Sequence, residues 1–332
     1  MMYFCTLFDS NYLNKGIALY LSLEKHADNF VLYVMGLDRK CHNILSALNF
    51  KHLVVECIED IESVELSEAK SNRSRAEFCW TCGSFVTDYF LHRYNLPDIT
   101  YLDSDLMFFS SPKCIYDELE LNNASVGIVP HFTRSSLFGK YCVQYVYFKN
   151  DEDGRACLTW WKDRCIEWCY SILDDGKYGD QKYLDYFGER FKNVYVISNR
   201  GVGIAYWNMY TYKYQEYNIS YKNQTYPVVF FHYSGINIKN QDSQMTFSHT
   251  MYISSKIKHL FVVPYADLMK LVYELYLHVP VSTTTITPIN LFKYCLKYII
   301  HILNKFFPIN SFIDLINRIK YRTRHAPYSE NK

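Results

Sequence analysis

Residues 99–112, ITYLDSDLMFFSSP, set two carboxylates, Asp103 and Asp105, one residue apart inside a run of β-branched, aromatic and aliphatic residues suited to a sheet. A buried carboxylate without a partner is costly, so the pair needs something positive beside it. Asp-x-Asp at the carboxyl end of a strand can hold a hard divalent cation through its oxygens and leave positions open for a substrate phosphate. The bland alternative, two solvated turn aspartates, fits poorly with the apolar flanks. A second polar interruption, FDSNYL (residues 8–13), follows another apolar run and could accept a nucleotide at a neighbouring strand end. Cys79-Trp-Thr-Cys82 has redox or metal-like spacing, but without a clear second pair it reads as buried thiols.

These residues need elements to position them. The periodicity predicts a strand over 2–7, a helix over 14–26 with Asn11 or Asn14 available to cap its start, a strand over 30–35, a helix over 41–48 and a strand over 52–57. A longer helix over 78–93 and strands over 99–102 and 125–129 follow. Alternating β and α favours an α/β sheet, in which ligands bind beyond the carboxyl ends of the strands. Past residue 150 the pattern loosens to a helix over 158–172 and strands over 193–197 and 228–231. With no internal repeat and no low-complexity linker, residues 1–265 read as one domain.

Composition bounds the function. A chain of 332 residues with 49% hydrophobic and 21% charged residues can bury a large core, so a globular enzyme is expected. A formal net charge of +1 lacks the concentrated basic surface that blanketing nucleic acid requires. The 11 cysteines are odd in number and scattered, and MMYFCTLFDSNYL has no basic start, apolar core or small-residue cleavage site, so a reducing, cytoplasmic setting is expected. The 32 tyrosines and 22 phenylalanines suit stacking on sugars and bases, but are equally ordinary core material.

Thr6–Glu24, TLFDSNYLNKGIALYLSLE, together with YLDSDLMFF, resembles the opening half of a metal-dependent GT-A glycosyltransferase, closest to the retaining family 8 type. Gly179-Asp180-Gln181-Lys182-Tyr183-Leu184 resembles that family's Asp-Gln-x-x-Leu-Asn, with Asp185 where Asn is usual, and His232-Tyr-Ser-Gly235 after VVFF resembles its His-x-x-Gly. These motifs occur in the family's order across most of residues 3–239. The wording looks more like the bacterial surface-polysaccharide (lipopolysaccharide or capsule) branch than the eukaryotic one. The resemblance implies a Rossmann-like nucleotide-sugar domain with a mostly parallel central sheet and a C-terminal helical extension. It also implies Mn²⁺ (or Mg²⁺) held by Asp103, Asp105 and His232, where the imidazole favours manganese.

The donor, a nucleoside diphosphate sugar and foremost a UDP-sugar, would be contacted by Thr6, Leu7, Asp9, Asn11, Tyr12, Arg75, Ser104, Gln144, Gly235 and Lys239. Asp9, Asn11 and Tyr12 suit base and ribose recognition, although Asp9 also fits a turn cap. Gln181 would sit near the anomeric carbon, its carbonyl dipole stabilising oxocarbenium character, with Asp180 orienting the acceptor or Gln181. The chain departs from the family pattern in four places. Ile238 holds the place of the family's lysine and Lys239 follows it. CWTCGSFVTDYF lacks the usual arginine, for which Arg73 or Arg75 could substitute. VQYVYFKN replaces an Asn-Ala-Gly strand and offers Gln144 as a polar stand-in, and Asp185 replaces asparagine.

The expected activity is transfer of a hexose to a glycan or lipid-linked acceptor in surface polysaccharide assembly. Paired aspartates also suit a metal-dependent nucleotidyltransferase or phosphohydrolase, which would need no sugar acceptor. A non-catalytic sugar-binding protein of the same fold is the third reading. Residues 266–332 form the expected extension, in which 291–324 are two apolar-periodic segments joined at Pro308, rich in Lys and Arg with Asp314 the only acid. Lys297 and Lys305 interrupt it, so it falls short of the roughly 20 apolar residues of a spanning helix. It reads either as a basic helix lying on an anionic membrane surface or as a packing helix with a solvated basic face. On the membrane reading, deletion after Thr287 leaves a protein that no longer floats with anionic liposomes, each basic residue lost removing about 1 kcal/mol of attraction. Equal flotation of truncated and full-length protein would restore the packing helix.

Overall fold

The computed structural model describes residues 1–61, 63–133, 137–241, 244–249 and 253–286. The basic segment 291–324 lies outside the described residues.

The chain opens with strand and helix in alternation: β1 (Met2–Phe8), α1 (Leu13–His26), β2 (Phe30–Gly36), α2 (Arg39–Leu48), β3 (Leu53–Cys57). Then come α3 (Val64–Asn72), α4 (Arg75–Arg93), β4 (Asp98–Leu102), β5 (Leu106–Phe108), α5 (Lys113–Leu121), β6 (Val126–Pro130), β7 (Tyr141–Lys149) and α6 (Glu152–Glu167). After the short α7 (Phe187–Arg190) and β8 (Val194–Val196), the seven-stranded sheet is complete in the order β3-β2-β1-β4-β7-β6-β8. It is mostly parallel, and β7 alone among its strands runs antiparallel to its neighbours β4 and β6. Valine, isoleucine and aromatic residues fill these strands because they pack well on a pleated surface covered by helices.

The sheet separates two apolar clusters. Phe4, Ile17, Leu19, Phe108 and Phe230 gather on the α1 side, and Cys82, Phe90, Trp161 and Phe187 on the side of α4 and α6. Each fully buried phenylalanine contributes roughly 1.5–3 kcal/mol. Helix α1 crosses very close to the end of β1, since a Cβ on Gly16 would lie 2.1 Å from the Phe8 ring. That glycine lets the first turn of α1, with Lys15, settle over the strand ends.

Two shorter features build the site. A three-stranded sheet joins β5, β13 (Phe230–His232) and β9 (Ile204–Ala205), with His232 paired to Leu106 and Phe231 to Met107. The β6–β7 ladder is irregular: Ile128 pairs with Val146 but Val129 with Cys142, so Val143, Gln144 and Tyr145 have no partner on β6. Such bulges redirect side chains. Between β9 and β13 lies an antiparallel meander of β10 (Lys213–Gln215), β11 (Asn218–Tyr221) and β12 (Gln224–Pro227).

The rest of the chain returns to α1. Strands β14 (Ile236–Gln241) and β15 (Gln244–His249) form a hairpin, and α8 (Ser255–Ile257) leads through a π turn into α9 (Val263–Leu271). Strand β16 (Thr283–Ile286) then pairs in parallel with β15. Residue 265 therefore lies within a helix, and buried Tyr265 stacks on Tyr233 at 3.6 Å between ring centroids. No helix of the described residues is long and apolar enough to cross a membrane.

Local expectations needed correction at two helices. Neither Asn11 nor Asn14 caps α1: Tyr12 occupies the cap position without a side-chain hydrogen bond, and Asn14 Nδ2 donates to the Tyr273 hydroxyl at 3.0 Å. The helix expected over 158–172 starts at Glu152, capped by Asp151, and stops at Glu167, where Trp168 turns extended. Apolar spacing continued past the stop because Cys169 is buried as loop rather than as helix.

Helix α4 begins with a capping box in which Ser74 Oγ accepts the Glu77 N–H and Glu77 Oε2 accepts the Ser74 N–H. Glu77 Oε1 also accepts the N–H and hydroxyl of Ser171, at 2.7 and 2.9 Å, tying this turn to the chain beyond α6. Burial opposes ionisation, but these hydrogen bonds prevail and lower the carboxyl from its ordinary 4.5 to about 2. A depressed folded-state value means stability present above about 4.5 that is lost as pH falls toward 2. The melting-temperature gap between the wild type and Glu77→Gln is therefore expected to stay constant from pH 7 to 5 and to close between 4.5 and 2. A gap that persists at pH 2 would contradict the clasp.

Candidate active site

Strand β4 ends at Leu102, and the Asp103 N–H donates to the Gln144 carbonyl at 3.1 Å, fixing the first carboxylate at the bulge of β7. The chain turns through Ser104 into β5, whose pairing with β13 delivers His232 beside Asp105. The Tyr233 N–H donates to the Asp105 carbonyl at 2.9 Å and locks that approach. His232 Nε2 lies 3.0 Å from Asp105 Oδ1 and 3.5 Å from Asp103 Oδ2. Its Nδ1 lies 2.9 Å from Gln144 Oε1. An amide oxygen only accepts, so Nδ1 carries the proton and Nε2 is the atom directed at both carboxylates.

The electrostatics describe a place for positive charge. Burial pushes Asp103 up to about 7, with His232 pulling it back. Burial also opposes ionisation of Asp105, yet His232 and Lys15 hold it well below the usual carboxylate range. For His232 burial works against the charge, and Asp105 and Asp103 overcome it, raising the imidazole well above its ordinary value. Lys15 Nζ lies 3.4 Å from Asp105 Oδ2 and 4.3 Å from the centre of the Tyr12 ring. Two carboxylates and an imidazole nitrogen aimed between them form an oxygen and nitrogen donor set that fits a divalent cation. One oxygen of Asp103, the Cys142 sulfur and one nitrogen of His232 all lie within 4.8 Å of one another.

A second group forms at the end of β1. Asp9 Oδ1 accepts the Asn11 N–H at 2.8 Å, and Asp9 pairs with Arg75 at the start of α4. With its amide oxygen turned toward Arg75, Asn11 accepts from that guanidinium at 2.9 and 3.1 Å. Tyr12 is exposed beside them. Arg73, the alternative to Arg75, instead donates to the carbonyls of Cys165 and Ile166. The side chains of Thr6 and Leu7 are buried in the sheet. Gln144, expected as a donor contact, is wholly buried and holds His232 because the β7 bulge turns it inward. Gly235 adopts φ +76°, which suits the turn after His232, and Lys239 sits in β14.

The third group is Asp180 and Gln181. Gly179, at φ +51°, turns the chain so that Asp180 is buried, its carbonyl accepting the Trp161 indole N–H at 3.0 Å. Burial and the nearby Asp103 raise the Asp180 carboxyl well above its ordinary value. Gln181 opens a 3-10 turn and donates from Nε2 to the Phe138 carbonyl at 2.8 Å. Asp185, where the family pattern has asparagine, accepts from the Lys140 N–H at 2.7 Å and pairs with Lys182 at 2.9 Å.

Sequence reasoning missed Lys15, Cys142, Trp207 and Asp38. Lys15 carried a signal, a lysine among the apolar residues that start α1. Trp207 stands edge-on to His232, with ring centres 5.3 Å apart, and Asp38 accepts the Ser10 N–H at 2.9 Å while capping α2. Nothing in the local sequence marks these or Cys142, since each reaches the site through tertiary packing. The thiols of the CWTC stretch are free, Cys82 buried and Cys79 partly so.

No family model matches the chain. It is 31% identical over 249 residues to the uncharacterized protein YfnF of Bacillus subtilis strain 168, covering 71% of this chain and 82% of that protein. To the uncharacterized YfnD of the same organism it is 29% identical over 247 residues, covering 71% and 78%. Its fold is similar to that of the galactosyltransferase LgtC, crystallised with donor and acceptor sugar analogues, at a TM-score of 0.55 and 12% identity over 81% of this chain and 95% of LgtC. An active-site mutant of LgtC gives 0.52 and 12%, over 80% and 95%. The chain belongs to the family of YfnF and folds as a GT-A glycosyltransferase.

Proposed function

We propose that this protein is a metal-dependent glycosyltransferase that moves a hexose from a nucleoside diphosphate sugar, foremost a UDP-sugar, to a glycan or lipid-linked acceptor in surface polysaccharide assembly. The observation that carries the reading is the convergence of Asp103, Asp105 and His232 beyond β4, with Lys15 against Asp105 and Asp180 near Asp103. A nucleoside diphosphate is a poor leaving group until its developing charge is neutralised, which is what Mn²⁺ or Mg²⁺ bound by Asp103, Asp105 and His232 would supply. Gln144 keeps the His232 nitrogen aimed at that place. Lys15 adds a positive charge at the diphosphate end, a role that offsets the displacement of the family lysine to Lys239. Asp9, Asn11 and Arg75 face the base and ribose, with Tyr12 available to stack.

At the sugar, the hydrogen bond from Gln181 Nε2 to Phe138 leaves the amide oxygen to stabilise positive charge on the ring. Asp180 orients the acceptor hydroxyl. An amide cannot take that hydroxyl's proton at neutral pH, so the proton leaves on the face of the departing diphosphate and the donor's anomeric configuration is retained. The basic segment 291–324 would hold the protein peripherally at the inner face of an anionic membrane.

Purified protein incubated with Mn²⁺ and UDP-, GDP- or dTDP-sugars is expected to hydrolyse one donor class, and EDTA is expected to abolish this. Full activity in EDTA would refute metal dependence, and nucleotide release indifferent to the sugar would favour a phosphohydrolase. Asp103→Asn or Asp105→Asn should cost at least about 100-fold in turnover, about 3 kcal/mol of barrier, and His232→Ala less. Lys15→Ala should weaken UDP binding by calorimetry about tenfold or more, as loss of a charge-assisted contact does, and leave uridine binding unchanged.

Gln181→Ala should lower kcat strongly with little change in donor KM, as expected of an interaction made mainly in the transition state. The anomeric proton coupling of the product reads the stereochemistry. A β-linked product from an α-linked donor would assign Asp180 the role of a conventional base.

A further inference from the structure

We propose that Cys142 is a thiolate ligand of the same metal centre, so that this protein prefers a thiophilic cation such as Zn²⁺ or Co²⁺ over Mg²⁺. The inference rests on the metal-dependent reading above and concerns only how the cation is held. The Cys142 sulfur, an Asp103 oxygen and a His232 nitrogen share a space in which no two lie more than 4.8 Å apart. Zinc-like bonds of about 2.3 Å to sulfur and about 2.0–2.2 Å to nitrogen and oxygen hold ligand atoms in that range or slightly closer. Small side-chain adjustments would bring all three, with Asp105 Oδ1 beside His232 Nε2, onto one ion.

Cys142 is set apart from the other buried thiols by its place against Asp103 and His232. Cys82, Cys157 and Cys165 belong to the apolar cluster under α4 and α6, where a cysteine acts as a small hydrophobe. Cys142 belongs to neither apolar cluster. It stands where the β6–β7 ladder shifts register, and the same irregularity turns Gln144 onto His232. A His232 nitrogen lies within 4.8 Å of its sulfur. One bulge thus directs a ligand and the group that orients another ligand into one place. On ligation the thiol loses its proton to solvent, and the soft sulfur shifts selectivity away from the all-oxygen preference of Mg²⁺.

The test uses the full chain, reduced and freed of metal, titrated with Co²⁺ alone. Wild type should develop the intense near-ultraviolet sulfur-to-cobalt charge-transfer band together with visible d–d bands. Cys142→Ser should lose the charge-transfer band while still binding Co²⁺ by calorimetry. Cys79→Ser, which alters the CWTC thiols, should keep it.

Co²⁺ binding in wild type without a charge-transfer band would overturn the thiolate ligand and leave the metal centre standing. A band that survives Cys142→Ser, or disappears in Cys79→Ser, would place the sulfur elsewhere and also overturn it. Absence of any Co²⁺ binding in wild type would overturn the metal centre itself, and the thiolate with it. Should Cys142→Ser fail to fold, Cys142→Ala is read in the same way, and wild type with the partly buried Cys79 and Cys114 thiols blocked should keep the band.

Discussion

Three ionisable groups meet in a buried space between the end of β4 and the end of β13, and the rest of the site is arranged around that fact. Burial raises both Asp103 and Asp105, and the two carboxyls part because His232 and Lys15 outweigh it only at Asp105. Asp105 stays charged because His232 and Lys15 face it, whereas Asp103 is left close to neutrality. A cluster of this kind is unstable in isolation, since each buried charge depends on another. It is suited to a ligand that carries the missing positive charge.

The scaffold keeps the groups together by constraining their backbones. Asp103 is tied to β7 through its N–H, Asp105 to Tyr233 through its carbonyl, and His232 to Leu106 through the β5–β13 ladder. Behind them Gln144 sets the orientation of the imidazole and Trp207 closes one side of its ring. Side chains supported in this way need little reorganisation when charge arrives, which is what electrostatic stabilisation of a leaving group requires.

The two other groups have a different character. Asp9, Asn11 and Arg75 join a loop to the first residue of a helix, and Arg75 is largely exposed, so this group can adapt to a ligand. Asp180 is buried, and that burial together with the nearby Asp103 raises its carboxyl. A positive charge placed at Asp103 would return Asp180 toward ionisation.

Local sequence carried the α/β alternation and the strand that ends at Asp103-Ser104-Asp105, because hydrophobic period and turn chemistry act over a few neighbouring residues, whereas the grouping of Asp9, Gln181 and His232 came from the family resemblance. It failed at boundaries: α1 began without an asparagine cap, and α6 stopped at Glu167 although apolar residues continued. It left open the setting of Gln144, whose polarity suggested ligand contact and which the structure buries against His232. Lys15 and Cys142 became visible only in three dimensions. Lys15 reaches Asp105, 90 residues away, because Gly16 lets α1 settle against Phe8, and Cys142 reaches Asp103 and His232 because β7 shifts register on β6. Periodicity along the chain determined which segments became strand and helix; the close approaches between those segments, decided by packing and register, determined which charges face one another.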